Sequence, residues 1–319
     1  MKIVFAGTPD FALTALRALV DARHEIGLVI SQPDRPSGRG MKLTPSPVKA
    51  FAISRGIEVL TPTNLNPAKS PEALKETLTK IRAFAPDVLV VAAFGMIVPE
   101  AMLEAPLGIG HARDIKAINI HASLLPRWRG AAPAARAIEA GDERFGVSLM
   151  RMDAGLDTGD IISTVDFPIE AKDTTATLTE KAAKAGADLL VHALASPETL
   201  TTTPQPEAGV TYAKKLLKEE SRVSFETDAA TLERKIRAFT PFPGVKCAYR
   251  DTEIRIHHAT VKENQGKPGE ILALGKEGVL VSCGKGSLLI DVLQRAGRPK
   301  MAADDFLRGF PLQVGESLR

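Results

Sequence analysis

Asn119 and His121 stand two residues apart in the run Asn119-Ile120-His121-Ala122-Ser123-Leu124-Leu125-Pro126-Arg127-Trp128-Arg129-Gly130. In a strand, residues two apart share a face. Asn119, His121 and Ser123 are therefore expected to point together, while Ile118, Ile120 and Ala122 take the opposite, apolar face. An amide and an imidazole aimed at one point are N–H groups that can steady an oxygen as it gains negative charge. If the strand ends there, at the carboxyl edge of a parallel sheet, that point is where open α/β folds bind ligands. A strand end carrying a core histidine bonded to its surroundings fits the same residues, and this segment alone does not separate the two readings.

Such a strand needs a sheet around it. Short apolar runs at 3–6, 27–30, 58–60, 87–93, 117–121 and 147–152 alternate with helical patterns. This alternation predicts an α/β, Rossmann-like, mostly parallel sheet with helices on both faces. Ser46-Pro47 and Ser70-Pro71 each set a capping hydroxyl before a proline suited to the first helical turn, predicting helices over 49–54 and 72–84. The first strand-to-helix turn holds only Gly7, without Gly-x-Gly-x-x-Gly, so dinucleotide binding is disfavoured. A helix is expected over 174–195, and the Pro- and Thr-rich stretch 196–209, which has no periodicity, reads as a linker. Beyond it, a helix over 228–239 stops at Pro241-Phe242-Pro243-Gly244. Closely spaced strands at 253–260, 269–274, 278–282 and 288–292 then suggest a small β-barrel or sandwich.

With 319 residues, 44% of them hydrophobic, the chain has material for about two cores. It contains no run of about 18 apolar residues, and its first strand is too short for a signal-peptide core. A soluble, cytoplasmic protein with no membrane partner is expected. Cys247 and Cys283 have no paired metal-ligand spacing around them and read as reduced core thiols, so no metal is expected. The net charge of +3 divides unevenly: residues 1–206 hold 22 Lys+Arg against 23 Asp+Glu, and residues 207–319 hold 19 against 15. That excess in the last third is weak support for binding a polyanion, because most such excesses are ordinary solvated surface.

The run from Asn119 to Gly130, followed by Gly155-Leu156-Asp157-Thr158-Gly159-Asp160, resembles the signature of the formyltransferases that use 10-formyltetrahydrofolate. Two further segments, Phe5-Ala6-Gly7-Thr8-Pro9-Asp10-Phe11 and Gln32-Pro33-Asp34-Arg35-Pro36-Ser37-Gly38-Arg39-Gly40, resemble the members of that family that act on initiator methionyl-tRNA. The likeness covers nearly the whole chain. One segment departs from it: Gly108-Ile109-Gly110-His111-Ala112-Arg113-Asp114-Ile115-Lys116 is several residues longer than the family usually has, and a surface elaboration is expected there. The resemblance implies a Rossmann-like catalytic domain over 1–195, the linker over 196–209 and an OB-like tRNA-binding barrel over 210–319. It further implies a monomer with 10-formyltetrahydrofolate as formyl donor and initiator methionyl-tRNA as acceptor.

On that reading Asn119 and His121 donate to a tetrahedral oxyanion, and preorganised donors of this kind are worth about 2.7 to 4 kcal/mol each. Asp157 is the carboxylate wanted beside the imidazole, because the 155–159 loop follows the next predicted strand and can approach the same sheet edge. The plain alternative is a turn carboxylate bonded to neighbouring backbone N–H groups. Ser123, Leu124, Leu125 and Pro126 match the family's folate-binding loop, and no Gly-x-Ser-x-Gly elbow marks Ser123 as a nucleophile. Residues 31–49 carry Arg35, Arg39, Lys42 and Lys49 against Asp34, with Gly38 and Gly40 between them. They are expected to form a mobile basic loop that positions the tRNA acceptor stem through phosphate contacts. Two other functions stay open: a folate-dependent formyltransferase for a small amine such as a sugar nucleotide, and a non-catalytic RNA-binding protein. The first needs neither the basic loop nor the barrel, and the second has no use for Asn119, His121 and Asp157.

Overall fold

The apolar runs of the first half gather into one sheet in the computed structural model, which describes residues 1–37 and 41–319. Its strands are β1 (Lys2–Gly7), β2 (Glu25–Ile30), β3 (Val59–Leu60), β4 (Val88–Ala92), β5 (Ala117–His121), β6 (Arg144–Arg151) and β7 (Ile161–Pro168), in the order β7-β6-β5-β4-β1-β2-β3. β1 pairs in parallel with β2 and β4, β2 with β3, and β4 with β5. β6 is antiparallel to β5. The helices are α1 (Asp10–Asp21), α2 (Pro47–Ser54), α3 (Pro71–Phe84), α4 (Pro133–Ala140), α5 (Thr175–Leu194), α6 (Ala229–Ala238) and α7 (Ala303–Gly309), besides a single turn at Glu100–Leu103.

Alternation along the strands builds two apolar faces. Val4, Ala6, Leu28, Ile30, Leu89, Val91 and Ala117 cluster with Leu74 and Ile81 of α3. On the other face, α5 packs so closely that a Cβ on Gly186 would lie 2.8 Å from Ile120 Cγ2. Ile118 and Ile120 therefore face a helix, as the sequence pattern requires, and Asn119 and His121 face away from it. The two expected helix caps differ. Ser46 Oγ accepts the Lys49 N–H at 3.1 Å, whereas Ser70, at φ −146° and ψ 60°, makes no side-chain cap bond. β7 escapes sequence detection because it is an edge strand with no buried residue, so its burial needs no apolar run.

Contacts divide the chain into two compact units, one of Met1–Gly130, Phe145–Phe167 and Thr179–Tyr212, the other of Ala131–Arg144, Pro168–Leu178 and Ala213–Arg319. Residues 196–209, expected as a linker, lie in the first unit, where Thr203 and Ile161 exchange backbone hydrogen bonds of 2.8 Å in both directions. α4 belongs to the second unit. There it packs on α6, with Arg234 Nε donating to the Glu139 carbonyl at 3.4 Å.

In the second unit, β8 (Val245–Tyr249), β9 (Thr252–Lys262), β10 (Ile271–Gly275), β11 (Gly278–Ser282) and β12 (Ser287–Arg295) lie in the order β8-β9-β12-β11-β10, all antiparallel. Residues 316–319 join the two outer strands. Leu318 bridges Tyr249 on β8, and Ser317 bridges Glu270 beside β10. This strap turns the curved sheet into the small barrel that the resemblance implied. Asp228 caps α6 by accepting the Thr231 N–H at 2.9 Å.

Both thiols lie inside the second unit. Burial pushes Cys247 up to about 12 and Cys283 up to about 11. Because the thiolate is the reactive form, neither cysteine is expected to react with a soluble disulfide reagent at pH 8 in the native protein. Both should react after unfolding, and titration of a thiol in the native state would contradict the buried placement. Among the described residues no helix is long and apolar enough to cross a membrane.

Candidate active site

Asn119 and His121 converge on Asp157. Asn119 Nδ2 lies 3.5 Å from Asp157 Oδ1, and His121 Nδ1 lies 3.6 Å from Asp157 Oδ2. The route to this meeting differs from the sequence expectation. β6, being antiparallel, ends with Arg151 opposite Ile118, not at the carboxyl edge. The 153–160 loop therefore returns over the polar face of β5 to deliver Asp157. Its fit there is close: a Cβ on Gly159 would lie 1.8 Å from the Arg151 carbonyl oxygen.

Asp157 is not a turn carboxylate bonded within its own loop. Its Oδ2 accepts the Gly130 N–H at 2.8 Å, from a residue 27 positions away. The local turn role belongs to Asp153, which accepts from Gly155 N–H at 3.0 Å and from Thr158 Oγ1 at 2.8 Å. Asp160 is held by Arg151 Nη2 at 2.7 Å. Asp157 and Trp128 both adopt left-handed backbone, at φ 53° and 64°. Non-glycine residues hold that region only where their surroundings impose it.

The imidazole has one committed nitrogen. His121 Nε2 lies 3.0 Å from the Trp128 carbonyl oxygen, which can only accept, so Nε2 carries a proton and donates it there. Nδ1 is the nitrogen turned to Asp157 and the one free to gain or lose a proton. His121 can thus donate to a substrate oxygen only from a protonated Nδ1. Among the described residues Asn119 Nδ2 has a single hydrogen-bond partner, at 3.5 Å, too long for a strong bond, so the amide can turn to an incoming oxygen.

Ser123 lies beyond the strand that carries Asn119 and His121. β5 ends at His121, and strand alternation ends with it. Ser123 is buried with its Oγ donating to the Arg127 carbonyl at 2.6 Å. Leu125 is buried as well, its N–H donating at 3.1 Å to Ser148 Oγ, which in turn donates to the Ser123 carbonyl at 2.8 Å. Leu124 and Pro126 are the partly exposed members of the segment. Among the described residues no group of three or more His, Cys, Asp and Glu is placed to hold a metal ion.

Several residues of the site carried no sequence signal. Ser148 sits opposite His121 in the β5–β6 register. Thr211 Oγ1 accepts the Trp128 N–H at 2.9 Å, and its carbonyl accepts the Arg129 N–H at 2.9 Å. Gln205 is bonded to Arg129 and to the Asp157 loop. Thr211 and Gln205 lie on or beside the supposed linker, where only their proximity in space reveals them.

The described part of the basic segment is paired. Arg35–Ser37 and Lys42–Thr44 pair as a short antiparallel hairpin, with Arg39 outside the described residues. Lys49 is tied to Asp34 at 2.7 Å and Arg35 Nη2 donates to Gln32 Oε1, while Lys42 is exposed. A cavity of about 420 Å³ lies at the base of the hairpin, lined by Gln32, Asp34, Arg35, Thr63 and Met96 among others. The longer segment at 108–116 is elaborated at the surface only at its tip. Residues 111–114 are exposed, whereas Ile109 and Ile115 are buried and exchange backbone hydrogen bonds of 3.0 and 3.1 Å.

Comparison with known proteins gives the family. The profile of the family described as formyl transferase matches residues 1–194, and that of the formyl transferase C-terminal domain matches residues 215–311. The methionyl-tRNA formyltransferase of Dechloromonas aromatica is 46% identical over 99% of this chain and 98% of its own. That of Delftia acidovorans is 47% identical over 100% and 97%. In fold, the chain is similar to the N-formyltransferase of Helicobacter canadensis solved with folinic acid and dTDP-3-aminofucose (TM-score 0.67, 19% identity, 92% of this chain and 99% of that one). It is also similar to HypX of Aquifex aeolicus in complex with tetrahydrofolic acid (TM-score 0.63, 21% identity, 99% of this chain), of which it spans 48%. With both profiles matched in sequence order and relatives at this identity over the full length, the chain belongs to the formyl transferase family.

Proposed function

We propose that this protein transfers the formyl group of 10-formyltetrahydrofolate to the α-amino group of methionine on initiator tRNA. The observation that carries the reading is the convergence of Asn119, His121 and Asp157 in a chain alike over its whole length to methionyl-tRNA formyltransferases. When bound, the folate supplies an activated formyl carbonyl. The residues present fit such a donor: an amide N–H free to turn, an imidazole and a carboxylate meet at one point, so no covalent enzyme intermediate is needed.

Asn119 Nδ2 donates to the carbonyl oxygen and strengthens that bond as the oxygen becomes negative. His121 is oriented by its Nε2 bond to the Trp128 carbonyl, which leaves Nδ1, facing Asp157 Oδ2 at 3.6 Å, as the nitrogen that can carry a proton in the reaction. The α-amino group of an aminoacyl ester titrates near or below about 7.7 to 8.0, so its neutral form attacks at pH 7. The new carbon–nitrogen bond is balanced by cleavage of the formyl carbon's bond to the folate nitrogen. The proton the amine sheds is balanced by the one the departing nitrogen takes up, with His121 Nδ1 the group placed to relay it. Leu124 and Pro126 form the surface of the loop beside the folate, and the buried, internally bonded Ser123 and Leu125 fix its shape.

Labelled 10-formyltetrahydrofolate offered with initiator methionyl-tRNA, elongator methionyl-tRNA, glycinamide ribonucleotide and a sugar-nucleotide amine tests the assignment. Label is expected on the initiator species, and transfer to a small amine in preference to it would overturn the reading. Arg39 and Lys42 are assigned to phosphates of the acceptor stem. Replacing both by Ala is expected to weaken tRNA binding and to flatten its salt dependence, by about 0.9 in the log–log slope for each duplex phosphate no longer neutralised. Folate affinity should be unchanged. Wild-type tRNA affinity and salt slope in the double variant would remove the hairpin from RNA recognition.

A further inference from the structure

We infer that Gln205 is a positioning residue that holds Asp157 in its working conformation. The inference rests on the reading that Asp157 serves formyl transfer. A primary amide offers two N–H donors and one acceptor oxygen, and Gln205 uses all of them on the site. Its Nε2 donates to the carbonyls of Asp157 and Gly159, at 2.8 and 2.7 Å. Its Oε1 accepts from Arg129 Nε and Nη2, at 3.1 and 2.7 Å.

These contacts close a circuit. Arg129 precedes Gly130, whose N–H holds the Asp157 carboxylate at 2.8 Å. One side chain therefore ties down the backbone of the carboxylate residue and also the segment that supplies the carboxylate's hydrogen-bond donor. The circuit matters because Asp157 sits at φ 53°, a strained conformation that persists only when its neighbours over-determine it. Thr203, two residues before Gln205, fixes the approach of the segment through its paired bonds to Ile161. Glutamate cannot substitute. It would keep an acceptor for Arg129 but set a carboxylate oxygen against two carbonyl oxygens.

Gln205→Ala and Gln205→Glu are each expected to lower kcat about 10- to 100-fold, the scale of a misplacement near 1 Å. KM for the tRNA and the affinity for folate should stay within about twofold. Glu207→Ala, an exposed change in the same segment, serves as the control with wild-type turnover. Amide hydrogen exchange provides a readout that does not depend on activity: the amides of 155–160 should exchange faster in both Gln205 variants, with the protection of β1, β4 and the barrel unchanged. In an Asp157→Asn background, Gln205→Ala should lower kcat less than about threefold further, because both changes act through the same group.

Wild-type kcat and loop exchange in the Gln205 variants, with Asp157→Asn slow, would overturn the inference and leave the assignment of Asp157 intact. Additive losses in the double variant, or exchange faster throughout the fold, would make Gln205 a general structural tether and also overturn it. If Asp157→Asn itself turned over like wild type, the reading of Asp157 and the inference would fall together.

Discussion

Asn119→Ala is expected to lower kcat by about 100- to 1000-fold, the loss of a single preorganised oxyanion donor. The fold should survive, because Asn119 is only partly buried and, among the described residues, its side chain's hydrogen bond is the long 3.5 Å approach to Asp157. KM for both substrates should change little, since the interaction is made in the transition state and not in the ground state. Steady-state formylation with thermal melting of the same preparation checks this. Near-wild-type turnover, or a loss explained by unfolding, would take Asn119 out of the mechanism.

Asp157→Asn is expected to cost kcat on the order of 10² or more, although it hardly changes shape. Its amide oxygen can still accept the Gly130 N–H, but the negative charge facing His121 Nδ1 is gone. Asp160→Asn is the discriminating partner. That carboxylate is tied to Arg151 at 2.7 Å, and loss of a partly exposed pair of this kind costs roughly 0–1 kcal/mol of stability with little effect on turnover. Equal and mild effects at both positions would reduce the loop to a scaffold.

Most of what positions this chemistry was legible in the sequence, and the rest was hidden for physical reasons. Asn119 and His121 announce themselves because a strand's period of two is readable from residue types alone. Strand direction has no such signature, so nothing in 147–152 told that β6 runs against β5. The end of β5 is hidden as well, because where a strand stops depends on hydrogen bonds such as those of Ser123 to Arg127 and Ser148, not on the next side chain. Gln205 is invisible because it is one polar residue in an aperiodic stretch whose partners lie 46 to 76 positions away. Lys49 counted as free positive charge until its pairing with Asp34 was known. Unit boundaries share this limit. α4 precedes the second catalytic stretch in the chain yet packs on α6, so a cut after Gly209 would strip an apolar helix of its cover as well as removing the barrel.

The strap of residues 316–319 bears on the protein's fate as a colloid. By bridging Tyr249 on β8 and Glu270 at the head of β10 it covers part of the row of N–H and C=O groups that each outer strand presents, the template on which sheets from different molecules add to one another. A chain shortened by those four residues would uncover two edges at once, on strands whose Val245, Cys247, Tyr249 and Ile271 are buried. It is expected to aggregate more readily than the full chain, which light scattering at matched concentrations would show. The strap therefore acts as edge protection for the sheet of the second unit.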